Sequence, residues 1–391
     1  MPTTSRLIAG PLAALALLTG SACSVLQSND APKTGKDGAI AVAAGEDSCD
    51  LARTSTKAGT VVFDVTNKGS KVTEFYLLAE DGLRILGEVE NVGPGLTRQL
   101  VVSVPQGKYQ TACVPGMVGK GMRSGFTVEK GAKGAGEITG VDQQTIDAAT
   151  AQYASYVRNQ TGQLLVDAKA FTDAYTAGDD ARARALYPTA RTPWEAVEPV
   201  AESFGDLDPR TDLREADLEP GQRWTGWHRI EKDLWPPRGG YTALTPAQRQ
   251  AYAADLMSNL TTLNTRVKSL DFGVDQIANG SKGLLDEVAA SKITGEEDIW
   301  SHTDLYDFAA NVTGARAGFE VLEPLLQVKD PVLATTLKQR FTSMQSELDE
   351  YRDGDGYVAY TEVTPAQRKQ LSDQVNALAE PLSKVTAALT L

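Results

Sequence analysis

Lys130-Gly131-Ala132-Lys133-Gly134-Ala135-Gly136 divides a chain of 391 residues into two parts whose hydrophobic patterns follow different periods. Glycine carries no Cβ and costs entropy in any regular element, so this run reads as a joint belonging to neither neighbour. Upstream, over 39–130, short β-branched runs at 40–44, 59–66, 72–78, 97–104, 107–114 and 124–129 are broken by Asn67-Lys68-Gly69, Pro94-Gly95 and Pro105-Gln106-Gly107. Strands at that spacing predict a small β-sandwich. Downstream, over 142–391, long amphipathic stretches rich in Ala, Leu, Gln, Glu and Lys predict an all-α helical bundle. A hydrophobic content of 41% over this length is enough to fill two separate cores.

The N-terminal end reads as an export signal. Arg6 precedes an apolar run over 7–18 and then Thr19-Gly20-Ser21-Ala22-Cys23, which is the pattern of a signal peptide with a lipobox over 1–23. The apolar run falls short of the ~20 residues that a membrane helix needs. Cys23 is therefore the expected lipidation site, and 24–38, rich in Ser, Asn, Asp, Pro, Lys and Gly, is a flexible tether. The expected location is extracytoplasmic, held to the cell membrane by a lipid anchor alone, on its periplasmic side or at the cell surface. A formal net charge of -13 argues against nucleic acid and anionic lipid surfaces as partners and makes cations the more natural ligands.

With Cys23 set aside, Cys49 and Cys113 remain, in a compartment where disulfides persist. A Cys49–Cys113 bridge is the direct expectation. A blue-copper site is excluded, because it needs two histidines beside the thiolate and the sandwich region has none.

Two echoes hint at duplication within the helical part. Ala190-Arg191-Thr192-Pro193-Trp194-Glu195-Ala196-Val197-Glu198-Pro199 is followed later by Ala315-Arg316-Ala317-Gly318-Phe319-Glu320-Val321-Leu322-Glu323-Pro324, and Thr245-Pro246-Ala247-Gln248 by Thr364-Pro365-Ala366-Gln367. The second pair is also what two capping boxes would look like, with Thr as N-cap, Pro at the first helical position and Gln closing the box.

The chain holds two histidines, which narrows the chemistry available. His228 stands in Gly226-Trp227-His228-Arg229-Ile230-Glu231-Lys232-Asp233-Leu234-Trp235. On a helix His228 and Glu231, three residues apart, share a face and can address one cation. This decamer, with Tyr187-Pro188, Arg191, Trp194-Glu195-Ala196-Val197-Glu198-Pro199, Glu296-Glu297-Asp298 and Ser301-His302-Thr303-Asp304-Leu305-Tyr306-Asp307-Phe308, resembles the imelysin-like proteins, and within them components of bacterial iron uptake systems. The resemblance covers the helical part almost end to end. Some members of that family place a cupredoxin-like sandwich first, which is the order predicted here.

The resemblance implies a metal site shared between helices, with Glu195, Glu198, Asp212, His228, Glu231 and, less directly, Glu297 as ligands. The residues agree in kind. Glu195 and Glu198 repeat the three-residue spacing, and one imidazole among carboxylates suits iron, as Fe2+ or Fe3+, with Zn2+ or Mn2+ able to use the same donors. Each acid also has a plainer reading: Thr192-Pro193-Trp194-Glu195 can be a capping box, and Asp212 follows Asp206 and Asp208 in a turn-rich stretch. For the sandwich, the resemblance leaves open an atypical copper site from Cys49, Glu74 and Cys113 in place of the disulfide.

The implied function is capture of iron and its delivery to a membrane iron permease, with a haem peroxidase of the same system as a further partner. Two other readings stand beside it. A metallopeptidase would need a second histidine in the motif, whereas Lys232 follows Glu231 and no His-Glu-x-x-His occurs, so no enzymatic activity is expected. A polysaccharide-binding or adhesion lipoprotein would need no metal chemistry at all.

Overall fold

The computed structural model describes residues 38–132 and 137–391. The predicted signal peptide, Cys23, nearly all of the tether and the centre of the glycine-rich joint lie outside the described residues. The first part holds β1 (Ile40–Ala44), β2 (Cys49–Leu51), β3 (Ser55–Lys57), β4 (Gly59–Asn67), β5 (Thr73–Leu78), β6 (Ile85–Val92), β7 (Thr97–Val104), β8 (Gly107–Pro115) and β9 (Met122–Glu129). They form two sheets, ordered β2-β1-β4-β7 and β3-β9-β8-β5-β6. Alternation drives the packing: in β4 every second residue from Gly59 to Asn67 is buried, which sends Val61, Phe63 and Val65 inward. There the Phe63 ring lies 5.1 Å from Phe75 and 5.4 Å from Phe126, joining the two sheets in one core.

Cys49 on β2 and Cys113 on β8 are joined by a disulfide between the sheets, with the Cα atoms 5.5 Å apart. Cys113 is paired in register with Phe75, so both point into the core; Glu74, one residue earlier on β5, points out of the opposite face with Val114. The structure therefore does not bring Glu74 to the two cysteines, and bridged sulfurs offer no thiolate, so the alternative copper site from Cys49, Glu74 and Cys113 does not form. Cys113→Ser is expected to cost the sandwich about 2–5 kcal/mol in denaturant unfolding, because the bridge spans 64 residues of chain.

The second part is helical: α1 (Gln143–Thr176), α2 (Asp180–Glu195), α3 (Glu198–Glu202), α4 (Asp208–Thr211), α5 (Trp227–Leu234), α6 (Pro246–Arg266), α7 (Val274–Ala290), α8 (Asp304–Lys329), α9 (Pro331–Asp349), α10 (Pro365–Leu382) and α11 (Val385–Thr390). Among the described residues, no helix is long and apolar enough to cross a membrane. Thr245 and Thr364 do close capping boxes, with Gln248 and Gln367, at the starts of α6 and α10. The other echo falls in unlike places. Glu195 and Glu198 are buried, whereas Glu320 and Glu323 lie on the outer side of α8, paired with Arg316 and Lys338.

Thr192 does not start a helix. Helix α2 runs on through Pro188 and Pro193 to Glu195, and the Thr192 hydroxyl donates back to the Pro188 carbonyl at 3.2 Å. Pro193, like Pro188, lacks the N–H that would bond back to the preceding turn, and the α2 ladder closes with Ala196 N donating to Thr192 O at 3.1 Å. The chain then turns at Ala196-Val197 and re-enters α3 at Glu198-Pro199. Glu195 and Glu198 thus sit on either side of a helix break, not on one helical face.

The start of β6 and strand β7 dock the sandwich on the helices through their backbone. Ile85 N donates to Ser203 O at 2.9 Å and Gly205 N to Leu83 O at 3.0 Å. Ser103 N donates to Asp275 Oδ2 at 2.7 Å, and Asn279 Nδ2 to Val101 O at 3.0 Å. Glu88 and Glu90 on β6 leave the sheet on this side, where Glu202 and Glu287 of the helical part face them. Burial, then the Glu74 charge, pushes the Glu88 carboxyl up to about 7. A carboxyl raised in the folded chain stabilises the fold in its protonated form. That contribution is complete below the ordinary carboxylate range and is lost as pH rises through about 7. The melting temperature is therefore expected to fall between pH 5.5 and 8, by a few degrees, and Glu88→Gln should flatten the dependence.

Candidate metal centre

Helix α5 is placed by the glycine before it. Gly226 has φ 88° and ψ -162°, a backbone conformation that only glycine adopts readily, and a Cβ built on it would run into the Thr211 carbonyl. This close approach seats the start of α5 against the end of α4, bringing His228 beside Asp212. Behind them an aromatic wall holds the helix: Trp227 lies 5.6 Å from Phe171 and 6.3 Å from Tyr187, centroid to centroid.

Within α5 the three-residue spacing does bring His228 and Glu231 together, but the two bond to each other. His228 Nδ1 is 3.1 Å from Glu231 Oε2. The other oxygen, Oε1, accepts from Trp300 N at 3.0 Å, Ser301 N at 2.7 Å and Ser301 Oγ at 2.9 Å. An acceptor so fully subscribed fixes the ring and the 300–301 loop and has little capacity left for an ion. The far nitrogen, Nε2, is buried and has no hydrogen-bond partner. It lies 3.2 Å from Asp212 Oδ1 and 3.4 Å from Glu297 Oε1, close enough for attraction but off the line that a hydrogen bond needs. A ring held by a carboxylate at Nδ1 and presenting Nε2 to two further carboxylates is the arrangement of a metal-ligating histidine.

Asp212 caps the end of α4 and accepts from Trp194 Nε1 at 2.5 Å and from Arg191 Nη1. Burial works to raise its carboxyl, but the Arg191 guanidinium outweighs that and holds it well below the usual range. Burial likewise works against charge on Glu297, and Lys292 and His228 overcome it, so Glu297 also stays ionised. Glu195, fully buried, is pushed up to about 7 by that burial despite Lys292 and Arg191. For His228, burial and the Arg191 charge oppose protonation, yet Asp212 and Glu231 win and raise it well above an ordinary imidazole.

Several residues at the centre were not among the sequence candidates. Arg191 is completely buried and bonds Glu195 and Asp212, with Glu297 at 3.3 Å and Asp307 at 3.5 Å. Its place four residues before Glu195 was a usable signal. Lys292 bonds Glu195 and Glu198 from the turn after α7, and nothing in its local sequence announces this. Asp298 accepts from the Tyr187 hydroxyl at 3.0 Å. Asp307 on α8 is fully buried with neither oxygen hydrogen-bonded. The seven carboxylates of Glu195, Glu198, Asp212, Glu231, Glu297, Asp298 and Asp307 are all buried around Arg191, Lys292 and one imidazole. Acidic groups outnumber basic ones, but burial raises Glu198 and Asp307 well above the usual carboxylate range, so these carboxyls hold protons that an entering cation would displace.

Residues 149–385 match the imelysin family, designated peptidase M75. This chain belongs to the imelysin family. Across its length it is also similar to the iron uptake system component EfeO of Escherichia coli strain K12, with 35% identity over 355 residues that cover 90% of this chain and 92% of that protein. The proteins of the same description from Shigella flexneri and from Escherichia coli O157:H7 match to the same extent. In this imelysin the parts that carry the sequence resemblance, α2–α3, α5 and the loop before α8, are the ones that converge on His228.

Proposed function

We propose that this imelysin binds iron, as Fe2+ or Fe3+, outside the cytoplasm and passes it to a membrane permease, the work being binding and release without turnover. The observation that carries the reading is the unpartnered Nε2 of His228, buried and aimed between Asp212 and Glu297 within an acid-rich enclosure. Its support from kinship is the 35% identity to proteins described as iron uptake system components. Oxygen donors with a single imidazole suit iron, and Zn2+ or Mn2+ would meet the same donors. In this reading His228, Asp212 and Glu297 hold the ion, with Glu195 and Glu198 beside them. Glu231 orients the ring.

The sandwich, of cupredoxin type by resemblance, contributes the disulfide and the docking face and no copper site. Attachment through Cys23 and a haem peroxidase partner complete the proposal and rest on the sequence alone. Peptidase chemistry has one histidine too few at this centre for a two-histidine zinc site. The test is titration of the purified full chain with Fe2+ under anaerobic conditions and with chelated Fe3+, followed by elemental analysis. Saturable binding of at least one ion per chain is expected; failure to bind any of Fe2+, Fe3+, Zn2+ or Mn2+ would refute the reading, and peptide hydrolysis stimulated by zinc would replace it.

A further inference from the structure

His228, Asp212 and Glu297 are all buried, so an ion reaches the centre only when part of its wall moves. Helices α2, α5 and α8 wall it on other sides and are tied by their own ladders. The stretch 296–303, between the 3-10 turn Lys292–Thr294 and the start of α8, has no such ladder. It is one residue thick: Glu297 and Asp298 are buried, while Glu296 before them and Ile299 after them are exposed, Ile299 by 51%. Each end of the stretch is a left-handed backbone position. Gly295 has φ 82° and stands so close to the Tyr360 ring that a Cβ would meet its Cδ1 at 2.6 Å. His302 has φ 60°, a conformation that costs any residue but glycine. Tyr360 braces both, being buried, with its hydroxyl donating to Ile293 O at 2.6 Å and its N–H to His302 O at 2.9 Å. Between these positions the fastenings are few and close together. Trp300 N, Ser301 N and Ser301 Oγ all converge on Glu231 Oε1, and Thr303 Oγ1 donates to Asp298. On the outside, Arg214 Nη1 lies 3.0 Å from Glu296 Oε1, and the Lys232 ammonium 4.7 Å from the centre of the Trp300 ring.

We propose that residues 296–303 form a hinged strap, pivoting at Gly295 and His302, whose opening admits the ion to His228 and later lets it leave. The inference rests on the metal-capture reading and supplies the route that reading needs. Swinging the strap outward breaks its three bonds to Glu231 and carries Glu297 away from His228. One movement thus uncovers the centre and withdraws one of its donors. Closing returns Glu297 Oε1 to 3.4 Å from Nε2. The left-handed backbone at His302 belongs to the closed form, so opening relieves it and offsets part of the cost of the broken bonds. Hinges of this kind are a few positions at the ends of elements that absorb a large change of φ and ψ.

The experiment uses the full chain and two variants that act on the strap in opposite senses. His302→Gly removes the strain of the closed form, and Trp300→Ala removes the outer contact with Lys232 while keeping every backbone bond to Glu231. Amide hydrogen exchange on the metal-free chains reads opening at Trp300, Ser301 and His302, whose N–H groups hold the strap shut. In the parent these three are expected to exchange together and ahead of the amides in α5 and α8. His302→Gly should slow them about fivefold and Trp300→Ala should speed them about fivefold. Anaerobic Fe2+ uptake, and release to a colour-forming Fe2+ chelator, should follow the same order. Entry and release should change by one common factor in each variant, which is the signature of a gate and not of an altered ligand set. If Trp300→Ala does not fold, His302→Gly decides. Strap amides that exchange no faster than those of α5, or uptake and release rates equal in parent and variants, overturn the strap and leave iron capture intact. A parent that takes up no Fe2+ overturns the capture reading and the gate with it.

Discussion

His228→Ala is expected to abolish tight iron binding, and Glu231→Gln to weaken it by ~10–100-fold, the range seen when a partner of a metal-ligating histidine is lost. The asymmetry follows from the geometry. His228 contributes the unpartnered Nε2, and without it Asp212 and Glu297 face an ion with no nitrogen donor. Glu231 acts through Nδ1 and through three bonds to the 300–301 loop, so glutamine keeps its shape and loses the charge that fixes the ring. Glu320→Gln, on the exposed side of α8, should leave binding unchanged. Competition titrations against a chelator of known affinity would measure all three. Equal losses in His228→Ala and Glu320→Gln would show that the effect is not local.

The second large effect is expected at Gly226. A side chain there must adopt φ near 88° and must also push back the Thr211 backbone, so Gly226→Ala should cost about 3 kcal/mol or more and weaken iron binding with it. The two losses share one cause, since the same contact sets the distance between Asp212 and His228. Gly221 provides the control. It has φ 85° and open space where a Cβ would stand, so Gly221→Ala should cost only the conformational penalty, about 1 kcal/mol, and leave the titration as it was. Chemical denaturation separates the two variants, and a Gly226→Ala chain that binds iron like the parent would show that the seating of α5 does not govern the site.

These two residues mark what a one-dimensional reading can and cannot reach. The change of period at the glycine-rich joint was legible, as were the strand pattern, the helix starts at Thr245 and Thr364 and the shared face of His228 and Glu231, because each depends on neighbours within one or two turns. Strand β6 was missed: Ile85-Leu86-Gly87-Glu88-Val89-Glu90 puts glutamates where a sheet meets water in most proteins, and here that face meets the helices. The helix break between Glu195 and Glu198 was misread because Thr-Pro-x-Glu looks the same whether it opens a helix or closes one. Lys292 was invisible as a site residue and Arg191 announced only its bond to Glu195, since long side chains reach partners set by the tertiary fold, as Arg191 does to Glu297, 106 residues away in sequence. Asp212 could not be told from Asp206 and Asp208 by pattern, although Asp206 pairs with Arg266 away from the enclosure.

Arg191 and Lys292 also bear on how such a protein could be emptied. In a structural zinc site the ion itself offsets the repulsion among its ligands, so that stripping it unfolds the domain. Here two covalently attached cations neutralise part of the acid whatever else is present, bonding Glu195, Glu198 and Asp212 from within the chain. In the proposed role, loading and unloading would then be uncoupled from folding. A carrier built in this way would keep its shape when emptied, because its own arginine and lysine hold the ligands in place.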